Sequence, residues 1–284
     1  MINGTRFRQS ADIARQRLLS SDIARAQAEI SSGKRIFAAS DDPAGAARVA
    51  SIGQTQANEK IYSSNLDYAI ALAGRADSTL SSISTDIGRA REYLMAASTG
   101  TATTDGRAIT ATELRAIATD IDQLVATRNS NGQALFPGGT PLAIPVDHGV
   151  TVVPVDSADQ LFTVTTAAGP VALSTLINQA ADALELTDPV AAQAAISASL
   201  EAVNAADAHI ITGRASMGAR GERMDAMVER YATSALALTE ERSVHEDVDV
   251  TSVVALLRSK QTSLDAAQAI YARINQQSLF DLIR

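Results

Sequence analysis

The chain has 284 residues, 46% hydrophobic but only 4% aromatic, with no Trp, no Cys and a formal charge of −8. The absence of Cys excludes disulfides, thiolate zinc sites and a cysteine nucleophile, and no apolar stretch approaches the length of a membrane span. No basic stripe accompanies the acidic balance, which excludes a nucleic-acid binder, because that affinity rests on phosphate neutralisation.

In chain order, the start Met1-Ile2-Asn3-Gly4-Thr5-Arg6 lacks the apolar core of a cleaved signal peptide, so any export is expected to use another route. A first helix is predicted from about Thr5 to Ser31, with Leu19, Ile23, Ala26 and Ile30 on one face and Gly33 as the residue after its end, where a left-handed backbone suits glycine. Asp42 followed by Pro43 reads as an N-cap and first helical residue, since the carboxylate accepts from free N–H groups and proline has none to waste. The helix that follows runs to about Gly100. Along it Leu66, Ala69, Ala73, Ala76, Leu80, Ile83, Ile87, Ala90, Leu94 and Ala97 recur at alternating steps of three and four, a coiled-coil period of 3.5. After a turn near Thr101–Gly106, another helix carries Leu114, Ile117, Ile121 and Leu124 and ends near Asn129-Ser130-Asn131-Gly132.

Six of the seven prolines fall between Pro137 and Pro189. This window has turn signals at Pro137-Gly138-Gly139 and Pro141, and β-branched runs at Val150–Val153 and Leu161–Thr165, and is predicted to form a small β-rich domain. Helix resumes after Pro189 with Ile196, Leu200, Val203 and Ile210, and continues after a possible break at Gly213 to about Ser243. Met217, Gly221, Met224, Val228, Tyr231, Ala235 and Leu238 there answer the first seam at the same steps. A last helix follows Asp249 with Val250, Val253, Leu257, Leu264, Tyr271 and Ile274. The expected fold is mainly α, a long antiparallel coiled-coil-like rod of N- and C-terminal arms with the β-rich insertion at its far end. Residues 133–187 are then expected to be exchangeable for a short linker with the helical hairpin intact.

From Asn129 to Gly213 there is no Lys or Arg, but there are acids at Asp147, Asp156, Asp159, Asp182, Glu185, Asp188, Glu201 and Asp207. The remainder of the chain is neutral, as suits self-association, and the acidic window reads as a solvated surface. No catalytic, cofactor or metal site is predicted. His148, His209 and His245 lie in separate segments; His245-Glu246-Asp247 with Asp249 reads as an acidic connector and helix start, and Asp41-Asp42 as a cap rather than a carboxylate pair. Gly213, Gly218 and Gly221 among Arg214, Arg220 and Arg223 lack the strand and lysine of a phosphate loop and read as close helix approach or a local break.

Ser32-Gly33-Lys34-Arg35-Ile36 with Ser40-Asp41-Asp42-Pro43-Ala44-Gly45-Ala46-Ala47 resembles the N-terminal signature of the bacterial flagellin superfamily. Glu246–Val250, Gln261-Thr262, Ala266–Ala269, Tyr271–Ile274 and Ser278–Asp281 resemble its C-terminal region. Lys34 and the ending Leu279-Phe280-Asp281 resemble the branch that joins hook to filament, although filament flagellins share the N-terminal signature. The resemblance implies a non-enzymatic axial component that self-associates in a ring or helical array. Flagellin, the preceding hook-associated protein and a flagellar export chaperone are the implied partners, with no nucleic acid and no membrane insertion. It implies an extracellular location, on the flagellum. It divides the chain into 1–42 and 246–284 (inner axial helices), 43–132 and 190–245 (rod arms) and 133–189 (surface domain). Leu19, Ile23, Ile30, Leu257, Leu264, Tyr271, Ile274, Leu279, Phe280 and Leu282 are the expected assembly residues, with Gly33, Asp42 and Pro43 as the cap and turn. Residues 1–36 and 248–284 lack an obvious internal partner and are expected to be ordered only on assembly. Without the resemblance, the same residues would also allow a soluble coiled-coil adhesin or carbohydrate binder.

Overall fold

A computed structural model describes residues 2–99, 103–166 and 169–280, with side chains described over 10–99, 103–166 and 169–273. In order, the elements are α1 (Ile2–Ser32), α2 (Pro43–Ser98), α3 (Thr104–Val125), β1 (Ile144–Asp147), β2 (Val150–Val152), α4 (Ala158–Phe162), β3 (Thr163–Thr166), β4 (Gly169–Ala172), α5 (Leu173–Leu184), α6 (Pro189–Glu246) and α7 (Val250–Phe280). The chain forms two compact units, Met1–Ala57 with Ser234–Arg284, and Asn58–Thr233.

In the first unit α1 packs along α7, and each helix is 31 residues long. The partner that the sequence did not reveal for each terminal helix is therefore the other one. Burial is thin, because Ala26 and Ile52 are the buried hydrophobic residues among those described in this unit. Polar bonds supplement it: Lys260 Nζ donates to Asp22 (2.8 Å) between α7 and α1, and Arg48 Nε to Glu241 (2.6 Å) between α2 and α6.

The second unit holds the main core. Every member of the α2 seam from Leu66 to Ala97 is buried except Ala73, which is half-buried, because a 3.5-residue period keeps one stripe facing its partners. On α6, Met217, Met224 and Tyr231 are buried, and Gly221, Val228 and Leu238 half-buried, but Ala235 is exposed, so the second seam is less continuous than the spacing suggests. Helix α6 is also unbroken at Gly213. A Cβ there would lie 2.7 Å from Leu161 Cδ2, so this glycine marks a close approach rather than a break, whereas Gly218 and Gly221 have open space around them.

The proline-rich window holds two two-stranded antiparallel sheets, β1–β2 and β3–β4, as its β-branched runs require. It also contains helices that the sequence reading missed. Leu161 and Phe162 close the short helix α4, which a Ser157–Gln160 capping box starts, and α5 packs along α3 with seven buried residues, among them Leu176, Ile177 and Leu184. Phe136 meets Phe162 edge to face with ring centres 4.9 Å apart. The apolar side chains of this window and of α2, α3 and α6 belong to one cluster, so the window shares the helical core instead of hanging from it.

Its acids face solvent, with Asp159, Asp182, Glu185, Asp188 and Glu201 exposed, yet most of them are engaged as well. Asp147 takes Arg230 (2.8 Å), Asp156 takes Arg220 (2.6 Å), and Arg115 of α3 spans Asp182 and Glu185 of α5 at 2.8–2.9 Å. Asp159 accepts from the Gly139 amide, Asp188 from that of Val190 and Asp207 from the Ser84 hydroxyl. A window without bases docks its acids on arginines of the flanking helices.

Candidate assembly joint

Two short connectors meet in the first unit. Gly33 follows α1 with φ 70°, a left-handed conformation that glycine takes without Cβ strain, and its N–H donates to Glu29 O at 2.9 Å. The strap 33–42 then crosses to the α6–α7 connector. Arg35 N donates to Glu246 O (2.7 Å) and Val248 N to Gly33 O (3.0 Å), with Lys34 and Asp247 as antiparallel bridge partners. Glu246, 8% exposed, takes Lys34 Nζ on one carboxylate oxygen and Arg242 Nε (2.6 Å) on the other. Arg242 foremost, then Lys34, hold this carboxyl below the ordinary Glu range. The Arg35 guanidinium reaches Asp42 (3.2 Å) and the His245 carbonyl (2.9 Å).

Asp41 and Asp42 have separate tasks. One oxygen of Asp41 accepts from the amides of Phe37 (3.1 Å) and Ala38 (3.0 Å), folding the strap, while the other faces Arg25 of α1 at 3.2 Å. Asp42 accepts from Gly45 N (2.9 Å) with Pro43 as the first residue of α2, the cap read from the sequence. Both carboxyls are held below the usual Asp range by these backbone donors, that of Ala38 foremost for Asp41 and that of Gly45 for Asp42. A Cβ on the buried Gly45 would sit 2.6 Å from Asp42 Oδ2 and 2.9 Å from Ile36 Cδ1, so a side chain there forces these side-chain ends to shift. Asp249 starts α7 by accepting from the Thr251 (3.0 Å) and Ser252 (3.3 Å) amides and the Ser252 hydroxyl (2.6 Å).

Of the expected assembly residues, Leu19, Ile23 and Ile30 of α1 and Leu257, Leu264 and Tyr271 of α7 are half-buried, on the stripes that the two paired helices partly cover. Ile274, Leu279, Phe280 and Leu282 lie outside the described side chains. Ile13, Leu18, Leu256 and Ile270 remain open to solvent, Leu18 at 66% and Ile270 at 60%. Sequence reasoning missed Gly45 and the pairing of Glu246 with Lys34; adjacent bases in one connector and adjacent acids in the other were the available signal.

The polar groups here cap helices and tie connectors together. His148 N donates to its neighbour Asp147, His209 Nε2 lies 2.9 Å from the Gln160 carbonyl, and His245 contributes its carbonyl to Arg35. Among the described residues no group of three or more potential ligands could hold a metal ion, and no helix is long and apolar enough to cross a membrane.

The helical regions that make up this joint and its flanking helices have known counterparts. The bacterial flagellin N-terminal helical region matches residues 8–140 and its C-terminal helical region residues 200–283, so the chain belongs to the bacterial flagellin family. Within that family it is 25% identical to the flagellar hook-associated protein 3 of Escherichia coli (strain K12), over 89% of this chain and 90% of the other. It is 26% identical to the flagellin of Listeria monocytogenes over 92% of each chain. A solved flagellar hook-associated protein from Vibrio parahaemolyticus shares the fold at a TM-score of 0.65 and 19% identity, covering 72% of this chain and 99% of that one.

Proposed function

We propose that this protein is a structural component of the bacterial flagellum that joins the hook to the filament. The observation that carries the reading is a similarity to hook-associated protein 3 that runs along about nine-tenths of both chains rather than through the helical ends alone. The paired helices α1 and α7 and the strap that holds their connectors are the parts on which assembly rests. Leu19, Ile23, Ile30, Leu257, Leu264 and Tyr271 set the internal seam, and the uncovered Leu18, Leu256 and Ile270 face neighbouring copies. The role is non-enzymatic, the location extracellular, and the partners are further copies, flagellin, the preceding hook-associated protein and an export chaperone.

Filament flagellin is the second reading, favoured by the Listeria similarity of equal extent. Electron microscopy of a deletion strain tests both. The junction role requires hooks without filaments and flagellin shed into the medium. Hooks without filaments and no flagellin in the medium identify the chain as the filament subunit, and normal filaments overturn both readings.

A further inference from the structure

An asparagine followed by glycine is the dipeptide most prone to intramolecular deamidation, because no Cβ shields the following amide nitrogen. This chain has two such pairs, Asn3-Gly4 and Asn131-Gly132. The second forms the turn after α3 and is bonded at each reacting group. Gly132, left-handed at φ 77°, donates its N–H to Asn129 O (3.0 Å), and its carbonyl accepts from Arg128 (2.7 Å). The Asn131 side-chain nitrogen donates to the Tyr68 hydroxyl (3.3 Å), and its main-chain N–H to Asn129 Oδ1 (2.9 Å). Asn129, 8% exposed, anchors the turn by also accepting from Gln133 N (3.0 Å).

We propose that Asn131 is a modification site gated by folding: the closed turn restrains it, and opening of this unit lets it convert to aspartyl and isoaspartyl products. The Gly132 nitrogen gives up its proton and bonds to Asn131 Cγ as the Cγ–Nδ2 bond breaks and ammonia leaves. Water then opens the cyclic imide at either carbonyl, with no change of oxidation state. In the closed turn the attacking N–H is committed to Asn129 O and the departing amide to Tyr68. The isoaspartyl product adds a methylene to the main chain between positions 131 and 132, so the bonds that Asn129 and Arg128 make across the turn cannot all re-form. Loss of ammonia makes the conversion itself irreversible.

The full-length protein is incubated at mildly alkaline pH, native and in concentrated urea, and both pairs are followed by peptide mass spectrometry. In urea position 131 should react at the rate of the Asn3-Gly4 pair, and in the native protein about tenfold or more slower, because only open molecules react. On removal of urea, chains with the isoaspartyl linkage should be depleted from the cooperatively folded fraction. Equal rates in native protein and urea would overturn the proposal, as would equal recovery of modified and unmodified chains in the folded fraction.

Discussion

Gly45, in the first turn of α2, is the residue of the joint whose replacement should be felt most directly. Its missing Cβ gives the Asp42 carboxylate and Ile36 their places, so Gly45→Ala must displace the cap or the side chain behind it. A loss of about 1–3 kcal/mol is expected, the usual cost of forcing atoms into a filled site, read as a lower urea midpoint. Glu246→Gln keeps the shape of its side chain but leaves two cations with a weaker acceptor. Loss of hydrogen bonds to charged groups predicts a cost of about 1–3 kcal/mol. Because the folded Glu246 carboxyl is held below its ordinary value, its contribution is complete above the unfolded pKa, about 4.3, and is lost as pH falls through the lower folded value. Stability profiles in urea should therefore fall less steeply under acid for Glu246→Gln than for the parent. A residual slope should remain from Asp41, Asp42 and Asp249, whose pKa values are lowered in the same sense.

Elements show where the sequence speaks and where it is silent. The α2 seam was legible because ten apolar positions repeat one period, and Asp42-Pro43 because capping is local chemistry. Helix α5 was not, since its 12 residues lie in a proline- and threonine-rich stretch and its amphipathic face acquires meaning only against α3. The pairing of the acidic window was hidden for a similar reason. Arg115 lies 67 and 70 positions from Asp182 and Glu185, and composition alone records no contacts. Exposure limits what this clamp is worth: Arg115→Ala should cost little despite its three bonds, whereas Ile121→Ala, fully buried on the same helix, should cost about 2–5 kcal/mol. Parallel denaturation curves would check the ratio. The shared core also changes the expectation for a linker in place of residues 133–187. Removing α5 takes away the helix packed along α3 and part of the shared core, so the remaining helices should lose cooperative unfolding rather than persist as an intact hairpin.

At the scale of the whole molecule, burial is unequal between the two units, and hydrogen exchange should register it. With Ala26 the buried hydrophobic residue of α1 and none described on α7, amides of these helices should exchange well before those of the α2 seam, and slow down in assembled material. Equal protection of α1, α7 and α2 in a verified monomer would contradict the idea that their full order depends on assembly. Removing Ser278–Arg284 takes away Leu279, Phe280, Leu282 and Ile283; filament attachment should fail while the thermal transition of the second unit stays in place, as motility and calorimetry together would reveal. The bridge between Lys34 and Asp247 has a consequence in time as well as in space. It closes a loop of roughly two hundred residues, a slow and entropically costly step compared with winding a helix. Whichever end of the chain emerges first, this closure waits for the other, so a partial chain can wind its helices but cannot complete its joint.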